Sequence, residues 1–183
     1  MRQMPSRQAM SIHEARWCLH ANRWGQRQAI RSVFSAISRL GVGGVWDAVV
    51  LGVVFFVGLH GLRVSVHLAV TGIIALALYK GLKRWTRRPR PFASDVRIRA
   101  WVAPLDEFSF PSGHTLHAVA FSIVAIAYYP MLAWGLLPFA ASVALSRVIL
   151  GLHYPSDVLA ALAIGSGLAG LSLWLPAALT TMP

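Results

Sequence analysis

Three short stretches of this chain carry side chains that can act together on an anion. KRWTRRPRP at 83–91 sets Lys83 seven residues before Arg90, with Pro91 behind it. PSGH at 111–114 places Ser112, Gly113 and His114 at the mouth of an apolar run, and SRVILGLHYPSD at 146–157 holds Arg147, His153 and Asp157. Cations surrounding a dianion flanked by two histidines suit phosphoryl transfer, where most of the catalysis is positioning and charge stabilisation. Pro111 and Ser112 suit a helix start, Ser112 or Gly113 can cap it, and Gly113 lets an anion approach the backbone. The free N–H groups of such a start and the helix dipole both favour a bound phosphate. Asp157 falls in the opening turn of the helix that Pro155 begins, close enough to hold one nitrogen of His153 and leave the other to attack. Taken singly, these are a juxtamembrane basic belt, an ordinary cap and common helix-end residues; their joint placement carries the chemistry.

The elements that must bring them together are apolar helices. Val45 to Leu59, Val64 to Tyr79, Thr115 to Tyr129, Met131 to Leu145 and Val158 to Leu175 are apolar around their whole circumference. Each approaches the ~20 residues of a bilayer crossing. The fold class expected is therefore all-α: an integral membrane bundle of five transmembrane helices, or six, with an N-terminal interfacial helix. If the spans cross in succession, the loop after Tyr79, the loop before Thr115 and the turn from Arg147 to Asp157 share one side of the membrane. Small residues in the last span (Gly165, Ser166, Gly167, Gly170) would permit close helix approach.

Composition agrees. Of 183 residues, 56% are hydrophobic and 13% charged, and the net charge of +11 calls for anionic partners such as lipid headgroups or phosphate substrates. The single cysteine, Cys18, excludes an internal disulfide and a thiolate metal cage, and with His13 and His20 it forms no convincing metal cluster. Residues 1–43 read as a basic segment with no apolar core of secretion-signal type. From Gln28, Ala29, Ile30, Val33, Phe34, Ile37 and Leu40 recur at helical spacing among Arg27, Arg31 and Arg39, the pattern of a helix lying on the membrane surface. Residues 44–176 form the membrane-embedded domain and 177–183 a short tail. Lys80, Arg84 and Arg87 suit a belt gripping anionic lipid. Asp106 and Glu107 are expected to solvate their loop or pair with its arginines.

Lys83 with Arg90-Pro91, Pro111 to His114, and Ser146-Arg147 with His153 and Asp157 resemble, in order and spacing, the three-part signature of the type 2 phosphatidic acid phosphatase family, whose membership extends to vanadium haloperoxidases. The resemblance spans residues 83 to 157. It implies that His153 is the nucleophile and forms a phosphohistidine, that Asp157 orients it, and that His114 protonates the leaving oxygen and then helps activate water. It implies that Lys83, Arg90, Ser112, Gly113 and Arg147 bind the phosphate, with no metal or cofactor. His117 matches no signature position and is expected to line the same face.

The function expected is hydrolysis of a lipid phosphate in the cell membrane: phosphatidate, phosphatidylglycerophosphate or a polyprenyl mono- or diphosphate. A haloperoxidase using vanadate in the same pocket, or a noncatalytic lipid-binding protein, are the rival classes. Positions 80–99 contain no folded nucleic-acid recognition module, so no nucleic-acid partner is expected. With five spans, all of the 17 Lys and Arg except Arg63 fall on the active-site side. That count favours the cytoplasm, whereas the resemblance implies the outer face for many members. The side and the oligomeric state stay open.

Overall fold

The computed structural model of the chain describes residues 12–41 and 43–180. Residues 1–11 of the expected basic segment and 181–183 of the expected tail lie outside the described residues. The described elements are helices joined by turns and loops: α1 Ile12–Trp24, α2 Gln28–Leu40, α3 Gly44–Val57, α4 Leu59–Thr86, the short α5 Pro91–Ser94, α6 Gly113–Tyr128, α7 Ala133–Ile149 and α8 Pro155–Thr180. Each of the five apolar runs folds as, or almost wholly within, one of α3, α4, α6, α7 and α8.

The stretches Gly61–Ser94, Pro130–Ile149 and Pro155–Leu175 are each long and apolar enough to cross a membrane. α2 and α3, bent by 47° where they join, meet that requirement as a pair. α6, with 16 residues, rises only about 24 Å, less than the ~30 Å of a hydrocarbon core. Its position explains how so short a helix is accommodated. α6 is the centre of the bundle, wrapped by α4, α7 and α8, and its residues Leu116, Ala118, Ala120, Val124 and Ala125 are fully buried. Protein rather than lipid surrounds it. Phe55, Phe56, Leu51, Ile73, Trp134 and Leu171 on the outer helices are exposed, as side chains facing acyl chains must be.

Small residues set the closest contact. Ala161, Gly165 and Ala169, one turn apart on α8, are buried. A Cβ on Gly165 would lie 2.8 Å from the Leu116 carbonyl oxygen of α6, so only glycine admits this approach. Gly167 and Gly170 have open space beside them and play no part in it. On the other flank of α6, Gly72 of α4 receives Phe121, which stacks on Trp46 of α3 with centroids 5.3 Å apart.

The N-terminal helices are more than a surface layer. α2 packs along α7, and its buried Ser38 accepts a hydrogen bond from Arg147. The Asn22 side chain of α1 donates to the carbonyls of Arg99 (2.9 Å) and Ile149 (3.1 Å) and accepts from Arg99 N–H (3.0 Å), tying α1 to the loop before α6 and to the end of α7. At the other end of the chain, α8 continues to Thr180, past the boundary at 176 expected from hydropathy.

Candidate active site

Successive crossings bring the C-terminal ends of α4 and α7 and the N-terminal ends of α6 and α8 to one face. The helix dipole favours cations at the first pair of ends and anions at the second. Lys83 and Arg147 lie in the last turns of α4 and α7, Gly113 opens α6, and Asp157 lies in the first turn of α8. A cavity of about 580 Å³ opens among them. Lys83, Arg90, Gly113, His114, Arg147 and His153, six of the eight expected site residues, line it. His117 lines it too.

The cations are buried: Lys83 is 5% exposed, Arg90 2% and Arg147 2%. Burial of this kind is costly unless each charge finds partners. Lys83 Nζ donates to Asp106 Oδ1 (2.6 Å) and to the Phe108 carbonyl (2.8 Å). Arg90 donates to the same Asp106 oxygen (2.8 Å), to the Asp106 carbonyl (3.0 Å) and to the Leu152 carbonyl (2.8 Å). Burial works against the charge of Asp106, but the Lys83 hydrogen bond and the charges of Lys83 and Arg90 outweigh it and hold the carboxyl below its usual range. The expected pairing of Asp106 with loop arginines is thus met by Arg90, with Lys83 beside it. Arg147 donates to Ser38, and its Nε has no hydrogen-bond partner.

His153 sits in the turn between α7 and α8, which Gly151 makes possible: its φ of 74° lies in the left-handed region, and a Cβ there would collide with the Arg99 carbonyl. The imidazole is buried, and its Nε2 lies 3.4 Å from Arg90 Nη1. Arg can only donate, so Nε2 is the accepting nitrogen and the ring proton belongs on Nδ1. Nδ1 lies 3.5 Å from Asp157 Oδ2 and otherwise has no partner. That separation is looser than a well-formed hydrogen bond. Burial above all, then the charges of Arg147, Arg90 and Lys83, hold the His153 imidazole well below its usual value. A neutral ring with an unprotonated nitrogen facing a cation-lined cavity has the chemistry of a nucleophile.

Two expected site residues stand behind the cavity rather than in it. Ser112 is the N-cap of α6: its hydroxyl pairs with Thr115 Oγ1 (2.9 Å) and accepts from Thr115 N–H (3.5 Å), while its own N–H donates to the Asp157 carbonyl (3.3 Å). The N–H groups of Gly113 and His114, which have no intrahelical acceptor, are the ones left at the cavity. Asp157 is fully buried, accepting from Tyr154 N–H (2.9 Å) on Oδ2 and from Arg88 (2.7 Å) on Oδ1.

The geometry can be set beside known proteins. The profile of the PAP2 superfamily matches residues 61–180. This chain belongs to that superfamily. It is 32% identical over 98 residues to the undecaprenyl-diphosphatase BcrC of Bacillus subtilis (strain 168), covering 54% of this chain and 50% of the relative. It is 35% identical over 77 residues to the phosphatidylglycerophosphatase B of Escherichia coli (strain K12), covering 37% of this chain and 29% of the relative. The matches thus span half or less of these relatives. The structure of a transmembrane PAP2-type phosphatidylglycerolphosphate phosphatase from Bacillus subtilis superposes with a TM-score of 0.73 at 24% identity, over 93% of this chain and 88% of that one. This PAP2 chain therefore has the all-helical architecture of an integral membrane protein, as its hydropathy implied.

Residues that sequence reasoning did not single out for the site are Arg88, Glu14 and Ser38. A signal existed for Glu14: the chain has only 6 Asp and Glu against 17 Lys and Arg, so every carboxylate is a scarce partner.

Proposed function

We propose that this PAP2 protein is a metal-independent lipid phosphate phosphatase of the cell membrane. Its substrate class is phosphatidate, phosphatidylglycerophosphate or a polyprenyl mono- or diphosphate. The observation that carries the reading is the placement of His153 Nε2 beside Arg90, in one cavity with Lys83, Arg147, His114 and the α6 N-terminus. The names of the two relatives support the substrate class.

In this reading the substrate's tail stays among the outer helices while its phosphate displaces Asp106 from Lys83 and Arg90. These two, Arg147 and the Gly113 and His114 N–H groups hold the phosphoryl oxygens. His153 Nε2 attacks phosphorus; the bond from phosphorus to the lipid oxygen breaks, and His114 gives that oxygen its proton. The leaving group departs as the lipid alcohol, or as the lipid monophosphate if the substrate is a diphosphate. Asp157 stabilises the charge on the phosphorylated ring. Water then attacks phosphorus, His114 takes its proton, and the P–N bond breaks to release inorganic phosphate and regenerate His153. A bound dianion offsets the ring of cations and thereby favours the protonated His114 that the first step needs.

The test is phosphate release from a panel of these lipids in detergent, with no divalent metal added. Purified protein should turn over at least one of them. His153→Ala should abolish that turnover while the protein stays folded; substantial residual activity in this variant rejects the proposal.

A further inference from the structure

We infer that Arg88, anchored by Glu14 of the N-terminal helix, is a positioning residue that holds the Asp157 carboxylate in place behind His153. The inference rests on the phosphatase reading above.

Arg88 lies in the loop between α4 and α5, just after Arg87 ends α4 in a left-handed conformation with φ 47°. Unlike Lys83, Arg90 and Arg147, it is not among the residues that line the cavity. Its guanidinium is instead spent on protein groups. Nη1 donates to Asp157 Oδ1 and to Ser156 Oγ, each at 2.7 Å, and Nη2 donates to Glu14 Oε2 at 2.8 Å. The group stacks 4.1 Å over the Tyr154 ring. The other Glu14 oxygen accepts from the Ser156 hydroxyl. The fork is thus fixed by partners from α1, from α8 and from the turn before α8.

This arrangement answers two needs of Asp157. A fully buried carboxylate requires a counter-charge, and the Arg88 contact at Oδ1 supplies it. The carboxylate must also keep Oδ2 toward His153 Nδ1, 3.5 Å away. With Oδ1 pinned by Arg88 and Oδ2 by Tyr154 N–H, its rotation is blocked. Glu14 in turn holds the second terminal nitrogen of the planar fork, fixing its orientation from the side opposite Asp157. Glu14 precedes the stretch that matches the superfamily profile, residues 61–180, so this contact reaches the site from outside the residues that the profile covers.

The experiment measures kcat and KM in detergent for the full chain and for Arg88→Gln, Arg88→Lys, Glu14→Gln and the Arg88→Gln/Glu14→Gln double variant. In parallel, 15N spectra of histidine-labelled protein are recorded, with the His153 signals assigned through His153→Gln. Arg88→Gln should lower kcat by between about 10- and 100-fold, the usual cost of losing an outer partner, with KM moved less than about threefold. Arg88→Lys, which keeps the charge and loses the fork, should recover part of the loss. Glu14→Gln should slow the enzyme by itself yet add nothing in the Arg88→Gln background, because both act through one contact. In the spectra, His153 should carry its proton on Nδ1 in the unsubstituted chain and show mixed tautomers in Arg88→Gln.

A rise in KM at constant kcat would make Arg88 a phosphate ligand, and independent, multiplying losses would make the cluster merely structural; either result overturns the inference, as do identical His153 spectra. If the unsubstituted protein releases no phosphate from any lipid in the panel, the phosphatase reading falls and the spectra alone decide whether Arg88 positions Asp157.

Discussion

Two ion-paired carboxylates, Asp106 and Asp157, stand at the mouth and behind the cavity, and they differ in almost everything except the charge of their partners. Asp106 bridges Lys83 and Arg90 at the mouth, where its side chain is 39% exposed. Asp157 meets Arg88 at the back, where it is fully buried. Water screens the first pair and can solvate its carboxylate once it lets go, so a phosphate dianion can exchange for it at modest cost. The second has no water to fall back on, and removing Arg88 leaves the Asp157 carboxylate without its counter-charge in a dry interior. In the proposed mechanism the same kind of ion pair is a replaceable occupant in one place and a fixed strut in the other, and solvent access decides which.

Breaking the strut should cost most. Asp157→Asn keeps the shape but loses the charge that orients and stabilises the His153 ring, and kcat should fall on the order of 10³- to 10⁴-fold, as for the orienting acid of a serine-protease triad. A fall of less than tenfold would mean that the carboxylate is not coupled to the nucleophile.

Acid should then tell the burial of His153 from its surroundings. Burial first, and the charges of Arg147, Arg90 and Lys83 next, keep the folded imidazole neutral well below its ordinary range, while the unfolded chain protonates it near ~6.5. The unfolded state therefore binds the extra proton, and the stability that His153 contributes drops as the pH falls below that value, by at most about 1.4 kcal/mol per unit for this one group. Asp106, whose folded carboxyl is depressed, adds its own loss only below about pH 3.9, so the two windows separate. Thermal midpoints between pH 7.5 and 5.5 should fall, and should fall less in His153→Gln; equal slopes would show that other groups carry the effect.

The mouth should give the smallest response. The carboxylate of Asp106 is 39% exposed and screened by water, which discounts its pairing with the buried Lys83 and Arg90 toward the ~0.2–1 kcal/mol of exposed pairs. Asp106→Asn, which removes the anion competing for Lys83 and Arg90, should therefore lower KM by up to about fivefold with kcat little changed. A higher KM would show that Asp106 assists binding instead of yielding to it.

How much was legible in the sequence follows from distance along the chain. His153 and Asp157 are four residues apart across a turn into a helix, and Ser112 heads an apolar run; local geometry made both readable. Ser112 was read correctly as a cap, but with its hydroxyl engaged by Thr115 it does not reach the cavity, a detail that depends on a rotamer and not on spacing. The amphipathic stripe of α2 made a helix readable and could not show Ser38 meeting Arg147, 109 residues away. The shortness of α6 likewise became intelligible only once its neighbours were seen to enclose it.

By itself the sequence determined a helical membrane bundle and the placement of three cation- and histidine-bearing helix ends on one face. It could do so because hydropathy sets which segments avoid water, and alternating crossings set which ends meet. Only the tertiary structure decided that Arg88 reaches Asp157 across 69 residues and Glu14 across 74, leaving Lys83, Arg90 and Arg147 to the cavity. Those choices depend on how closely the helices pack and rotate against one another, and no local pattern of residues encodes that.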